Sequence, residues 1–410
     1  MTRLAGSAKL LRAINSSATL AHLLQSGQLT RAELRDLTGL SKPTSSEMLR
    51  LLTDAGLAIV AGRTAGAPGP TAEIYAPNAD AAYAVAVSVR DTTEEDRPDL
   101  AIALCDLSGN VRDRAESSVD FTEVFPAEAV AKTVLEACQR ADVDTSRVRH
   151  VQIGVAGSYD PRTDTIHHVD VPGWGGPGVL NDVRSRLFTS LGVPAGVATV
   201  ALENDVNLAA IAERHRGVAA GADSFALLWL GYGIGLATDL GGVLLRGASG
   251  GAGEIGYLPL YHSPAVDGPS DLQLLIGGPA VIRLAAESGI SAQTSGEAIT
   301  AAIALGQDRV LEVLAQRIAF ALATVVAVLD PPLVVLAGEV AQAGGTKLRD
   351  AVVAAMYPAA PRSPPGNTGG DVQIAVTAVA DDAVLLGGLD AGLHALRESL
   401  ISSLAKRTLD

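Results

Sequence analysis

Cysteine is nearly missing from this 410-residue chain; Cys105 and Cys138 are the only two. Two thiols make neither a disulfide framework nor a cysteine-rich zinc site, and they make a cytoplasmic location the expectation. Long hydrophobic runs are missing as well. The longest, such as Ile318 to Leu329 and Leu333 to Ala337, are too short to span a bilayer, so no membrane partner is expected. Arg3, Lys9 and Arg12 near the start are not followed by an apolar core and a small-residue cleavage site, so no signal peptide is expected. Aromatic residues are only 3% of the chain. Positive charge is scarce too: the net charge of −14 looks wrong for a nucleic-acid binder.

The charge is uneven, however. Residues 1–80 hold eight basic and six acidic side chains, +2 in all, which leaves −16 for the remainder. That asymmetry permits a DNA-binding head on an acidic body. A hydrophobic content of 48% allows large cores, and the length suits two or three domains.

Three helical patterns fill residues 16–57. The first covers Ser17 to Leu24 and stops at Ser26-Gly27. Thr30 with Glu33 forms a capping box for a second helix that stops at Gly39. Ser41 caps a third, Lys42 to Asp54, with Pro43 in its first turn and Leu49 and Leu52 facing inward. The order reads as a helix-turn-helix with the third helix in the major groove. Lys42, Thr44, Ser45 and Ser46 would face DNA and Arg50 would meet phosphate. Leu57 to Val60 and Glu73 to Ala76 read as a two-strand wing whose Gly/Pro-rich tip carries Arg63. The alternative is a helical subdomain used for dimerisation. A linker at 77–84 separates a head, 1–80, from a body, 81–410.

The body alternates strand-like and helix-like runs. Strands are expected at Ala84 to Val89, Leu100 to Asp106, Val111 to Val119, Val148 to Val155, Val197 to Leu202, Phe225 to Leu230, Leu333 to Leu336 and Val372 to Ala378. Helices are expected at Phe125 to Arg140, after Asp205 through Arg214, and at Ile318 to Leu329. This is an α/β pattern. Within it, Gly231 to Leu258 reads GYGIGLATDLGGVLLRGASGGAGEIGYL. Glycine at that density suits a strand, a turn and a loop whose backbone comes close to something. Gathered N–H groups there would make a ligand cradle, with the single acid Glu254 among the last glycines. Catalysis, sensing and tight packing all remain open for this loop.

Several stretches carry a resemblance: GVAGSYD at 154–160, VPGW at 171–174, ENDVNLAAIAE at 203–213, LLRGASGGAGEIGYLPL at 244–260, LDPPLVVLAGEV at 329–340 and LLGGLDAGL at 385–393. In combination they resemble the ROK family of repressors, open reading frames and kinases. The resemblance implies an actin-like, RNase-H-like fold of two α/β lobes with a cleft, and a sugar as ligand class. It matches Asp205 to a catalytic base, and Asn204 and Glu254 to sugar contacts. From their residue types alone, Asn204 and Asp205 read as a loop cap after a strand, and Glu254 as a cap on nearby backbone.

The departures carry weight. Family kinases open the body with a Gly-Gly-Thr phosphate loop. Here VAVSVRDTTEEDRPDL has no glycine and holds Glu94, Glu95, Asp96 and Asp99, which repel phosphate. Ala337-Gly338-Glu339 stands where the family places adjacent glycines near the nucleotide base. Tyr257 stands where a zinc-binding His is expected, the cysteine cluster is missing, and His262 alone makes no zinc site. Tyr257 could instead bond or stack on a sugar ring. His167-His168 would face opposite sides of a strand, against a metal pair.

The expectation is a DNA-binding regulator, a repressor of carbohydrate metabolism or transport. It would bind double-stranded operator DNA as a homodimer or tetramer. It would respond to a sugar-like effector at Asn204, Asp205, Glu254 and Tyr257, with no kinase activity, cofactor or metal. The alternatives are an ATP-dependent sugar kinase with Asp205 as base, and a regulator whose body is a scaffold without a ligand.

Overall fold

The computed structural model describes residues 3–64, 72–90, 99–169, 171–194, 196–260, 271–359, 372–379 and 382–409. The wing tip at 65–71, the acids Glu94, Glu95 and Asp96, and His262 lie outside the described residues.

Local signals set the head's short elements. α1 (Arg3–Ser26) is followed by β1 (Leu29–Thr30), α2 (Arg31–Thr38) and α3 (Lys42–Asp54). The Thr30 backbone N–H donates to the Glu33 carboxylate at 2.7 Å while the Thr30 hydroxyl accepts from the Glu33 N–H, so the capping box forms. Gly39 ends α2 in the left-handed region, at φ +68°. Ser41 caps α3 by accepting from the Thr44 N–H. β2 (Ala58–Arg63) and β3 (Glu73–Pro77) then pair antiparallel, and β1 joins on the free side of β3. The hairpin expected as a wing is therefore part of a three-stranded sheet. Arg63 ends β2 opposite Glu73.

Two readings of the head need correction. α1 starts 14 residues earlier than the apolar pattern suggests. Its buried stripe runs through Ala13, Ser16 and Thr19 before Leu20 and Leu23, so the upstream part shows no apolar period. Ser45 does not face outward. It is fully buried beneath α3, and its hydroxyl has no hydrogen-bond partner.

A 3₁₀ turn at Ala79–Ala81 leads into the first lobe. Its elements are β4 (Tyr83–Val89), β5 (Leu100–Asp106), β6 (Val111–Ser117), α4 (Pro126–Arg140), β7 (Val148–Val155), the hairpin β8 (Ser158–Asp160) and β9 (Thr165–His167), α5 (Val179–Leu191), β10 (Thr199–Asn204) and α6 (Asp205–Arg216). β4, β5 and β6 form an antiparallel meander; β7 and β10 add in parallel on the other side of β4. β10 begins and ends two residues later than expected, which brings Glu203 and Asn204 into the strand.

The second lobe repeats the plan. β11 (Ser224–Leu230), β12 (Ile234–Leu240) and β13 (Val243–Leu244) form the meander. α7 (Leu272–Ile276), α8 (Gly278–Glu287), α9 (Ser295–Ala304) and α10 (Asp308–Leu329) follow. β14 (Leu333–Ala337), α11 (Glu339–Ala359, broken at Gly345), β15 (Gln373–Val376) and α12 (Ala383–Leu409) complete it. The sheet order β13-β12-β11-β14-β15 matches β6-β5-β4-β7-β10 position for position.

Each sheet is covered on both faces, as its nearly continuous apolar strands require. In the first lobe α4 and α5 cover one face and α12 the other. In the second, α8 to α11 cover one face and α6 the other. α6 and α12 pack on each other between the lobes. α10 is longer than its uncharged run suggested: by length and composition it could cross a membrane, but half of its apolar stretch lies inside the second lobe's core.

Ser45→Ala removes a buried hydroxyl that bonds nothing. It is expected to leave stability unchanged or raise it by up to about 1 kcal/mol in urea unfolding. A loss well beyond that would mean the hydroxyl has a partner.

Candidate functional site

The carboxyl ends of β4, β7, β10, β11 and β14 converge on a cavity of about 660 Å³ between the lobes, where ligands of open α/β sheets usually bind. Asn204, Asp205, Glu254 and Tyr257 all line it.

Asn204 ends β10 and caps α6, its Oδ1 accepting from the Asn207 N–H at 3.0 Å. Its Nδ2 donates to the Gly157 carbonyl at 3.1 Å and to Asp205 Oδ1 at 3.0 Å. The cap reading of Asn204 is therefore correct, and the cap also faces the cleft. Asp205 Oδ1 accepts from the Val206 N–H at 2.8 Å. Burial first, then the charge of Glu254, pushes the Asp205 carboxyl up to about 7 against the pull of those hydrogen bonds. Glu254 stands ahead of a 3₁₀ turn at Ile255–Tyr257 and makes no capping bond there. The Tyr257 ring stacks on His168, with centroids 4.4 Å apart. His168 belongs to the first lobe and Tyr257 to the second, so a protein ring lies against the aromatic face expected to meet a sugar.

Glycine in the long loop answers to packing. Gly250 sits at φ +78°, and a Cβ there would collide with the Tyr159 backbone carbonyl of the opposite lobe. A Cβ on Gly253, at φ +97°, would collide with the Leu236 carbonyl. The same loop sends Arg246 to Glu203 across the lobes at 2.6 Å. The glycines thus let the second lobe close against the first and hold Glu254 over the cleft.

Sequence reasoning missed the other end of the cavity. Arg90, just after β4, donates to Glu116 Oε1 and to Asp382 Oδ1, each at 2.7 Å. Arg114 pairs with the second oxygen of Asp382. Arg90 is the residue before the acidic run, and Arg114 and Glu116 alternate on one face of β6, which was the available signal. Their partner Asp382 lies 292 residues beyond Arg90. Near the third wall, Glu339 starts α11 and accepts from the Ser295 hydroxyl. Gly338, at φ +86°, packs on the Leu230 carbonyl. Among the described residues, no group of three or more His, Cys, Asp or Glu could hold a metal ion.

On the head, Lys42, Ser46 and Arg50 fall four residues apart along α3 and share its outer face. Lys42, Arg50 and Arg63 are exposed, while Thr44 and Ser46 are half-buried. Arg50 meets Asp54 at 3.3 Å in an exposed pair, worth little in water.

Because Asp205 is held above the ordinary aspartate value, the folded chain binds its proton more tightly than the unfolded chain. Stability from this group is full below about pH 4, falls as pH rises to about 7, and is level above. Asp205→Asn removes that fall. Its melting temperature should exceed the wild type's at about pH 8 and converge toward it near pH 5. Parallel melting curves across that range would show that the carboxyl is not held up.

A model of the ROK family matches residues 97–390. The glucokinase of Halalkalibacterium halodurans is 26% identical over 266 residues, 58% of this chain and 74% of that protein. The xylose repressor of Bacillus subtilis is 23% identical over 260 residues, 62% of each chain. A solved ROK family transcriptional regulator, described as a homolog of the E. coli MLC protein, superposes over 97% of this chain and 100% of its own with a TM-score of 0.73. At 18% identity that last likeness speaks for the fold alone. With its two actin-like lobes and a family match spanning most of its length, the chain belongs to the ROK family.

Proposed function

We propose that this protein is a transcriptional regulator, a repressor of carbohydrate metabolism or transport genes. In this reading a winged helix-turn-helix head binds operator DNA and the cleft takes a sugar-like effector without phosphorylating it. The observation that carries it is the head: a capped three-helix unit with a paired hairpin, whose α3 keeps Lys42, Ser46 and Arg50 outward. A sugar kinase has no use for such a face. The absence of glycine from the sequence between β4 and β5, where family kinases carry a Gly-Gly-Thr phosphate loop, supports the lack of phosphoryl transfer. The xylose repressor relative supports the direction of control.

Gel shift against the promoter beside its own gene and neighbouring sugar-transport promoters tests the reading. Specific, salt-sensitive binding is expected. Lys42→Ala and Arg50→Ala should each weaken it, and Arg50→Ala should lower the salt slope by about one. No specific binding at any of these promoters would count decisively against a regulator.

Operators of this type are two-fold, so two copies are expected together. α10 offers the surface. Phe320 and Val328 are 54% and 76% exposed there and, with Ala319, Ala323, Ala327 and Ala355, line an open apolar groove of about 650 Å³. A second copy related by a two-fold axis would cover this face with its own. Phe320→Glu should yield a monomer by light scattering; an unchanged mass would place the dimer contact elsewhere.

One observation favours a second reading, a sugar kinase. Asp205 at about 7 is poised as a general base, and a glucokinase is among the relatives. ADP release with a hexose panel, abolished by Asp205→Asn, would establish it.

A further inference from the structure

α12 lines the cleft at its start and packs on the head at its end. Twenty-seven residues of helix span about 40 Å. Asp382, Ala383 and Val384 form part of the cavity wall. Leu396 and Leu404, far along the helix, share a core with Leu20 and Leu23 of α1. The Ser17 hydroxyl of α1 donates to the Ile401 carbonyl at 3.3 Å.

The start of α12 is tied to the first lobe. Asp382 turns the chain into the helix at φ +48°, a left-handed backbone that aspartate adopts more readily than most residues. Its carboxylate is held from two sides: Arg90, with a side chain 16% exposed, takes one oxygen and Arg114 takes the other. Both arginines stand on the first lobe, and both line the same cavity.

Along its middle, α12 meets its neighbours through small residues. Gly387 lies against the Leu208 backbone of α6, and Gly388 and Gly392 lie over Ala86, Gln152, His150 and Ala84. Such a seam has shallow ridges, so it resists a shift along the helix axis less than interlocked side chains would. Two further ties hold the helix: Asp390 to Arg216 at 2.8 Å, and Arg397 to the Leu107 carbonyl at 3.0 Å.

We propose that Asp382 with Arg90 and Arg114 is a latch that couples the cleft to the head through α12. A ligand that engages these guanidiniums frees the first turn of α12, and the helix carries that release to α1. This rests on the reading of the cleft as an effector site and supplies its route of regulation. The latched form is the one that binds operator.

The test uses the full chain with Asp382→Asn and Arg114→Gln. Amide hydrogen exchange is followed in α1 and, as a reference far from the latch, in α10. Each single variant is expected to speed exchange in α1 at least tenfold, leave α10 unchanged and weaken operator binding at least tenfold. Unchanged exchange in α1, or an equal rise in α1 and α10, overturns the latch, the second because it reports general loss of stability. The α1 response needs no DNA. If the wild-type chain binds no operator while the variants still speed α1 exchange, the regulator reading falls and the cleft-to-head latch stands; operator binding with no α1 response in the variants would do the reverse.

Discussion

The close crossing of α6 and α12 sets the distances that matter in this molecule. A Cβ on Gly387 would collide with the Leu208 carbonyl of α6, so the two helix axes come nearer than side chains would allow. α6 begins with Asp205 and α12 follows directly on Asp382. With Asp382 held by its arginines, the crossing sets how far the Asn204–Asp205 end of the cavity lies from the arginine end. It also joins the lobes, because α6 covers the second sheet while α12 covers the first. Each lobe uses a helix that is chemically part of the other's core boundary.

A buried acid steadies this arrangement. Glu213, at the end of the ENDVNLAAIAE stretch, is fully buried, and a polar group there is tolerated only when hydrogen-bonded. It accepts from the Val218 N–H at 2.9 Å, the Val379 N–H at 3.2 Å and the Thr377 hydroxyl. Those partners bracket the turn after α6 and the segment that leads toward α12. The motif thus serves at both ends: Asn204 and Asp205 face the cleft, and Glu213 holds the backbone that delivers α12.

Sequence legibility followed the range of the interaction. Thr30 with Glu33, Ser41 ahead of α3, and the apolar runs of β4, β5, β7 and β11 are local signals, and each could be read directly. The family motifs pointed to Asn204, Asp205, Glu254 and Tyr257, and these do meet in one cavity. What escaped were pairings without a period. Asp382 and the arginines come from distant parts of the chain, and the His168–Tyr257 stack joins two lobes. Ser45 was misread because a polar residue in a first turn normally faces water, whereas tertiary packing placed it inside. α1 was cut short because its upstream buried face is alanine, serine and threonine.

The repeated strand order has a consequence for how the chain is made. The first lobe's sheet is complete once β10 is laid down, yet its Ala84, Ala86, Ala101 and Ala103 face stays uncovered until α12 arrives, nearly three hundred residues after β4. α1, already packed on α2 and α3, waits for the same helix to cover its other side. Contacts of such separation are slow to form and leave apolar surface open during synthesis. A chain halted before α12 would keep α1 against α2 and α3 but leave its other side bare. The head is then finished only when the body is finished, so its final packing is among the last steps of folding.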